Sequence, residues 1–479
     1  MTGPVRVPVC ADGTSLARTH LIGVGGAGMS AIARILTDRG LSVSGSDAKG
    51  SQVLTGLAQR GVRTAIGHDP GHLDLLPGGP TAVVVSTAIR PDNPEVVAAR
   101  ERGIPVVIRA EALAALMVGS RGVCVAGTHG KTSTTSMLTV ALRRAGLDPS
   151  FAIGGELNES GSGAHQGSGD IFVAEADESD GSFLAFAPHG AIVTNIEPDH
   201  LDHHGSAAAY ARVFELFVQN IAPAGFLIAG ADDPGTTGLL GRIAGPGAPR
   251  ILRYGFAADS DVRILAHTPA GPGSVAAIGL PGGATVGLTL AVPGAHMLAN
   301  ATAALAAGIE LGVPAETMAA GLAGYTGVRR RFEFKGRAAG VTVYDDYAHH
   351  PTEVAAQLAA ARLLVAGRER PGRLVVVFQP HLYSRTEMFA AEFARSLATA
   401  DVVVVLDVYG AREEPRPGVS GRLILDRIDP AVSRHYLPAL HDAAARIAAL
   451  TRTGDLVITM GAGDVTMLGP QLLTELEHR

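Results

Sequence analysis

The sequence predicts an α/β protein built in three consecutive blocks around mainly parallel sheets. Short apolar, β-type runs alternate with Ala- and Leu-rich helical stretches along nearly the whole chain. That is the pattern of βα units. Glycine and proline are abundant, at 61 and 28 residues, which suits many tight βα turns. The length of 479 residues also exceeds one ordinary core, since domains run to roughly 100–200 residues.

The first block, 1–120, opens with a strand near His20-Leu21-Ile22 and ends near Met117–Ser120. The second, 121–328, opens with the strand Gly122–Ala126 and continues through Asp170–Glu175 and Ala191–Asn195. Its later part, Gly225 to Ala291, reads as an added region of strands and loops, and its last clear helix begins around Asn300. The third, 329–479, carries the strands Val341–Tyr344, Leu374–Phe378, Val402–Asp407 and Leu456–Met460. The boundary at 328 rests on the turn-like Gly324-Tyr325-Thr326-Gly327.

Composition narrows the function classes. Apolar residues make up 47% and charged residues 18%, an ordinary globular balance. A net charge of -6 argues against a nucleic-acid scaffold, although a local cationic site can sit in an acidic protein. No uncharged apolar run reaches the roughly 18 residues of a membrane span. Met1–Gly13 lacks an apolar core of signal-peptide length. Cys10 and Cys124 lie far apart and make no disulfide framework, so a cytoplasmic location is expected. Only three of the 39 cationic side chains are lysine: Lys49, Lys131 and Lys335. A lysine inside a glycine-rich loop is therefore a poor candidate for surface filler.

Two glycine loops follow strands and open helices. In the first, Gly23-Val24-Gly25-Gly26-Ala27-Gly28 precedes a helix expected over Met29–Asp38. Glycines there let the backbone approach a pyrophosphate at a helix N-terminus. Asp47 closes the next strand where a ribose-binding acid belongs. A tight turn without ligand, or a dinucleotide site, would read the same way. The second loop, Gly127-Thr128-His129-Gly130-Lys131-Thr132, leads into a helix expected over Ser133–Arg144. Its N–H groups and helix dipole can cradle phosphates. Lys131 adds positive charge, and the Thr132 hydroxyl suits Mg²⁺. Val125 stands where the general phosphate-loop pattern has another glycine.

Polar clusters recur at strand ends. Glu175-Ala176-Asp177-Glu178-Ser179-Asp180 gathers four carboxylates that repel one another unless a cation lies near. It is either a solvated acidic turn or, beside a phosphate loop, part of a Mg²⁺ site. Glu197-Pro198-Asp199-His200-Leu201-Asp202-His203-His204 has no Cys and no helical His spacing to favour zinc. In the third block, Asp345-Asp346-Tyr347-Ala348-His349-His350-Pro351 and Gln379-Pro380-His381-Leu382-Tyr383-Ser384-Arg385 lie at successive strand ends, where α/β sheets bind ligands.

Read together and in order, from about residue 20 to about 465, these motifs resemble the Mur ligases. The most telling are Gly-Val-Gly-Gly-Ala-Gly-Met-Ser (23–30), Gly-Thr-His-Gly-Lys-Thr (127–132), Glu-Ala-Asp-Glu-Ser-Asp (175–180) and Asn-Ile-Glu-Pro-Asp-His-Leu-Asp (195–202). Asp-Asp-Tyr-Ala-His-His-Pro-Thr-Glu (345–353) and Gln-Pro-His-Leu-Tyr-Ser-Arg-Thr (379–386) complete the set. The resemblance implies a Rossmann-like N-terminal domain for the UDP-substrate and a central ATPase-like domain with a phosphate loop. It also implies a Rossmann-like C-terminal domain that contributes to ATP and amino-acid binding. It is closest to the branch that joins L-alanine to UDP-N-acetylmuramate, a cytoplasmic step of peptidoglycan precursor synthesis. ATP and Mg²⁺ are the implied cofactors. A carboxylate is a poor acyl donor, so it is first phosphorylated by ATP and then attacked by the amine.

The resemblance also implies residue roles. Gly127, Thr128, His129, Gly130, Lys131, Thr132 and Ser133 would bind ATP, with Asn300 at the adenine and Asp346 at the ribose. Thr132, Glu175 and His200 would hold metal. Lys131, Arg330 and Arg331 would reach the phosphates and, with Glu175 and His200, make the catalytic set. Gly25, Gly26, Ala27, Gly28, Met29, Ser30, Asp47, His68, Ser86, Thr87 and Ala88 would bind the UDP-substrate. His349, His381, Tyr383 and Arg385 would meet the muramyl group and the amino acid. Met297 stands where the family often has Asn, which bears on adenine recognition. Several Mur ligases carry a carbamylated lysine after the Asp-His motif. No lysine occurs between Lys131 and Lys335, which fits the alanine-adding branch. A monomer or homodimer is expected, with no nucleic-acid or membrane partner. The rival readings are a ligase that recycles whole murein peptides onto the same acceptor, a nicotinamide oxidoreductase and a non-catalytic nucleotide switch.

Overall fold

The computed structural model describes residues 7–243, 245, 247–367, 372–411 and 413–478. It contains three sheets. In the N-terminal sheet the strands Arg63–Ile66, Ser42–Asp47, Arg18–Ile22, Ala82–Val85 and Val106–Ile108 lie side by side in that order, all parallel. The chain order reverses beside Arg18–Ile22. The crevice beyond the strand ends at such a reversal is where open α/β sheets bind ligands, and the first glycine loop lies there.

The central sheet has ten strands. Its middle is parallel: Phe226–Gly230, Gly190–Val193, Arg121–Ala126, Ile171–Glu175 and Ser150–Ala152. Arg121–Ala126, Ile171–Glu175 and Gly190–Val193 are almost wholly buried. That explains their unbroken apolar runs, since a parallel strand is covered on both faces. The Gly- and Pro-rich stretch supplies strands through Thr285–Leu290, as expected, and also a helix, Pro234–Ile243. Its two threonines and three glycines weaken the helical signal. The helix expected near Asn300 begins at Ala295, so Asn300 lies within it and does not open it.

The C-terminal sheet orders Glu333–Ala338, Val341–Asp346, Leu456–Met460, Leu374–Phe378, Val402–Val405 and Ser433–Tyr436. The first pairs antiparallel and the rest parallel. The edge strands Glu333–Ala338 and Ser433–Tyr436 escape sequence reading because their burial patterns are mixed and polar.

By packing, the chain divides into two units. One holds 1–266, 277–288 and 299–325, and so carries both the N-terminal sheet and most of the central block. The other holds 267–276, 289–298 and 326–479. Within the first unit a single apolar cluster runs from Leu21, Ile32 and Leu36 to Phe172, Phe183, Phe214 and Phe217. The helix Ala27–Asp38 also reaches the central block through Arg34 Nη1, which donates to Ser162 Oγ at 2.9 Å. Arg39 Nε donates to Gln166 Oε1 at 2.7 Å. No helix among the described residues is long and apolar enough to cross a membrane.

Candidate active site

The second glycine loop bridges the buried strand Arg121–Ala126 and the helix Lys131–Arg144. Two of its glycines are required by geometry. Gly127 has φ +131°, and a Cβ there would lie 2.1 Å from Thr194 Oγ1. Gly130 is left-handed (φ +81°), and its Cβ would lie 2.8 Å from Asn300 Oδ1. Asn300 therefore packs on the loop itself. Residues just past the end of the adjacent strand, Gly190–Val193, pin the loop: Asn195 Oδ1 accepts from the His129 amide at 2.8 Å, and Thr194 Oγ1 donates to the His129 carbonyl at 2.6 Å. The His129 ring lies 3.3 Å from Glu197. Thr128 Oγ1 donates to the Glu197 carbonyl and lies 2.8 Å from the Tyr210 hydroxyl. Ser133 is buried in the first turn of the helix.

Lys131 Nζ donates to the carbonyls of Gly127 (2.6 Å) and Thr128 (3.1 Å) and to Glu178 Oε1 (3.0 Å). Glu178 is fully buried. Burial, reinforced by Asp177, pushes its carboxyl up to about 7 against the pull of Lys131. For Lys131, burial works against the charged form, but the carboxylates of Glu178, Asp177 and Glu175 outweigh it and raise its pKa. The acidic turn is thus tolerated because Lys131 lies inside it, and because Arg109 Nη2 reaches Asp177 Oδ2 at 3.2 Å.

Thr132 Oγ1 donates to Glu175 Oε1 at 2.9 Å, and Glu175 Oε2 accepts from the Gly154 amide at 2.7 Å. Oxygens at the 2.0–2.1 Å Mg–O distance of an octahedral site stand about 2.9 Å apart when adjacent. The Thr132 and Glu175 oxygens therefore already have the spacing of neighbouring Mg²⁺ ligands. His200 is left-handed (φ +52°) and caps the short helix Leu201–His204, with Nε2 3.6 Å from Asp199 Oδ2. The strand before it, Gly190–Val193, lies next to Arg121–Ala126 on the side opposite Ile171–Glu175.

At the first glycine loop, the helix begins at Ala27, two residues earlier than expected, and its cap, Gly26, offers no side-chain acceptor. The Gly25 amide donates to Asp47 Oδ2 at 2.9 Å. The Met29 side chain is buried in the core, and Ser30 Oγ donates to the Ala27 carbonyl. Ser86, Thr87 and Ala88 follow the strand Ala82–Val85, with Thr87 and Ala88 exposed. His68 Nδ1 lies 3.2 Å from Ser46 Oγ, which donates to the buried Glu95 at 2.5 Å. His72 Nδ1 is 2.6 Å from Glu95, and His20 Nε2 is 3.6 Å from it. Burial opposes the Glu95 charge, but the nearby His20 ring and the close Ser46 and His72 contacts win and hold it down at about 2.

In the second unit, His349, His381 and Arg385 come together. The two rings lie 5.8 Å apart, and Arg385 Nη1 is 3.4 Å from His381 Nδ1. Burial lowers His349 to about 3, with Glu353 opposing. Tyr383 opens the helix Tyr383–Met388 and packs against Gly410. Asp346 ends the strand Val341–Asp346. It is fully buried, and its two oxygens accept from the amides of Phe332 and Ala348, each at 2.7 Å; burial pushes it up to about 7. In this conformation it braces a turn. Arg330 donates to the carbonyls of Gly461 and Gly463 at 2.7 and 2.9 Å. Arg330 and Arg331 both lie over the Tyr347 ring, at 4.8 and 5.0 Å. Met297 is buried.

Sequence reading missed Arg109, Tyr210, Thr194 and Glu95. Arg109 follows a strand end, a usable signal; Tyr210 and Glu95 sit within helices and carry none.

Three family models cover nearly the whole chain: the Mur ligase family catalytic domain over 18–121, the Mur ligase middle domain over 125–308, and the Mur ligase glutamate ligase domain over 330–463. The UDP-N-acetylmuramate–L-alanine ligase of Saccharopolyspora erythraea is 60% identical over 98% of this chain and 96% of its own. The same-named enzyme of Kineococcus radiotolerans is 56% identical over the full length of both. Among solved structures, the UDP-N-acetylmuramate-alanine ligase of Thermotoga maritima superposes with a TM-score of 0.79 at 26% identity, covering 96% of this chain and 99% of that one. A murein peptide ligase from Psychrobacter arcticus superposes at 0.71, also at 26% identity, over 97% and 99%. With its three α/β domains, matched in order along its length, the chain belongs to the Mur ligase family.

Proposed function

We propose that this protein joins L-alanine to UDP-N-acetylmuramate with conversion of ATP to ADP and phosphate. The carrying observation is the constellation at two adjacent strand ends: the second glycine loop, the Lys131 ammonium within it, and the Thr132–Glu175 oxygen pair 2.9 Å apart. The high identity to alanine-adding ligases over both full chains supports the choice of amino acid.

In the reaction, a carboxylate oxygen of the muramyl group attacks the γ-phosphorus as the bond to ADP breaks, giving an acyl phosphate. The alanine amine then attacks the acyl carbon, loses a proton, and phosphate leaves. Lys131 exchanges Glu178 for the β- and γ-phosphate oxygens, where its charge offsets the charge that develops in transfer. The amides of the loop and the first turn of Lys131–Arg144 hold the remaining phosphate oxygens. Thr132 and Glu175, with His200, would hold Mg²⁺, which neutralises phosphate charge.

The first glycine loop, with Asp47, His68 and Ser86–Ala88, is assigned to the UDP moiety. His349, His381, Tyr383 and Arg385 are assigned to the amino-acid side of the reaction. By function, residues 1–120 serve the UDP-substrate, 121–328 serve ATP, and 329–479 serve ATP and the amino acid. The test is ADP release with UDP-N-acetylmuramate, ATP and Mg²⁺ across a panel of amino acids and one tripeptide. Turnover should require L-alanine. Turnover with the tripeptide and none with alanine would overturn the proposal in favour of peptide recycling.

A further inference from the structure

We propose that Arg109 is a positioning residue for the substrate's pyrophosphate, held in place by Asp177. This rests on the assignment of the first glycine loop to the UDP moiety. Arg109 is the first residue of the helix Arg109–Met117, directly after the strand Val106–Ile108. It therefore stands on the same strand-end edge of the N-terminal sheet as the loop.

Its guanidinium lies between the first glycine loop and the acidic turn that carries Asp177. Nη2 donates to Asp177 Oδ2 at 3.2 Å. The rest of the side chain lies over Gly28, in the first turn of the helix Ala27–Asp38: a Cβ on Gly28 would lie 2.6 Å from Nη1 and 3.0 Å from Cδ. Gly28 is thus needed for the arginine as well as for the turn. The guanidinium is only partly buried, with 26% of its side chain exposed, and Asp177 is 38% exposed. The fork is reachable from solvent.

A cation against the first turn of a helix opposes the helix dipole, whose positive end is there. Folding stability alone gives little reason for that placement. An anion at Gly25–Gly28 reverses the sign: loop amides, dipole and guanidinium then all point at the same charge. Asp177 keeps the fork oriented by one donor and leaves others for phosphate oxygens. Asp177 also belongs to the turn that carries Glu175 and Glu178. The arginine therefore sets the distance between the bound pyrophosphate and the acids around Lys131. Lysine cannot replace it, because a single ammonium cannot bridge both partners in one plane.

Binding of UDP, of UDP-N-acetylmuramate and of ATP is measured by calorimetry on the full chain, with thermal melting as the fold control. Arg109→Met should weaken UDP and UDP-N-acetylmuramate alike, by about 10- to 100-fold, the range of a lost charge-assisted contact. ATP affinity should stay within about twofold. Arg109→Lys should recover only part of the loss, and Asp177→Asn should weaken UDP several-fold by loosening the fork. Equal UDP affinity in wild type and Arg109→Met overturns the proposal. So does restored UDP affinity in Arg109→Met/Asp177→Asn, which would make the arginine only a neutraliser of Asp177. Weakening confined to UDP-N-acetylmuramate overturns it too, by moving the contact to the muramyl group. If wild type itself fails to bind UDP, the loop assignment falls first and this proposal with it.

Discussion

Lys131 Nζ and the carboxylate of Glu178 form a buried ion pair, 3.0 Å to Oε1 and 2.8 Å to Oε2, with no side-chain exposure on Glu178. The ammonium proposed to meet ATP thus has a second task, neutralising an acid that folding has removed from water. Lys131→Ala should abolish ADP formation and also destabilise the fold by about 1–3 kcal/mol, because Glu178 loses its buried partner and must take up a proton. Lys131→Ala/Glu178→Gln should recover most of that stability and none of the turnover. Denaturant melts and ADP release on the two variants separate the tasks; a double variant as unstable as the single one would show that Glu178 is not the source.

The Thr132–Glu175 pair leads to a metal prediction. Thr132→Val and Glu175→Gln should each raise the Mg²⁺ concentration needed for half-maximal turnover by about 10- to 100-fold. Thr132→Ser keeps the hydroxyl and should stay near wild type. Mg²⁺ titrations of ADP release provide the check, and an unchanged midpoint in Thr132→Val would remove the hydroxyl from the metal site.

Gly127 and Gly146 make a matched pair. Both have positive φ, +131° and +82°, but a Cβ at 127 would lie 2.1 Å from Thr194 Oγ1, and at 146 it meets nothing within 4 Å. Gly146→Ala should cost only backbone strain, about 1 kcal/mol. Gly127→Ala adds a collision with the threonine that pins the loop, so it should cost at least about 2–3 kcal/mol more and weaken ATP binding. Equal thermal shifts in the two would contradict this.

Glu95 predicts an acid limb of stability. Its carboxyl is held near 2, below the ordinary 4.5. A depressed carboxyl stabilises the fold above the unfolded value, and that stability disappears as pH falls through the folded one. The contribution is therefore full above about pH 4.5 and lost by about pH 2, on the order of 3 kcal/mol. Glu95→Gln should destabilise the protein at pH 7 and flatten this limb, as read from denaturant midpoints between pH 2 and 7. An unchanged slope would place the acid limb on other carboxylates.

Much of the fold was legible because buried parallel strands must be continuously apolar, as Val123–Ala126 and Leu374–Phe378 are. The edge strands and the helix Pro234–Ile243 were not, because their patterns are mixed and their residues are weak formers. The start of the helix at Ala295 was hidden because Gly294 at φ +105° is a tertiary choice, made against His296 and Ala360.

The sequence by itself determined the parts whose chemistry is contiguous. A phosphate loop needs its glycines, lysine and threonine within one strand–turn–helix, so residues 127–132 announce themselves and bring their family with them. Only the tertiary structure decided which groups neutralise and orient those parts. Arg109 and Asp177 are 68 positions apart, and Ser46 and Glu95 are 49 apart. Burial is what makes such pairs matter, since a charge removed from water must find a partner wherever the fold brings one. Linear spacing carries no trace of that requirement.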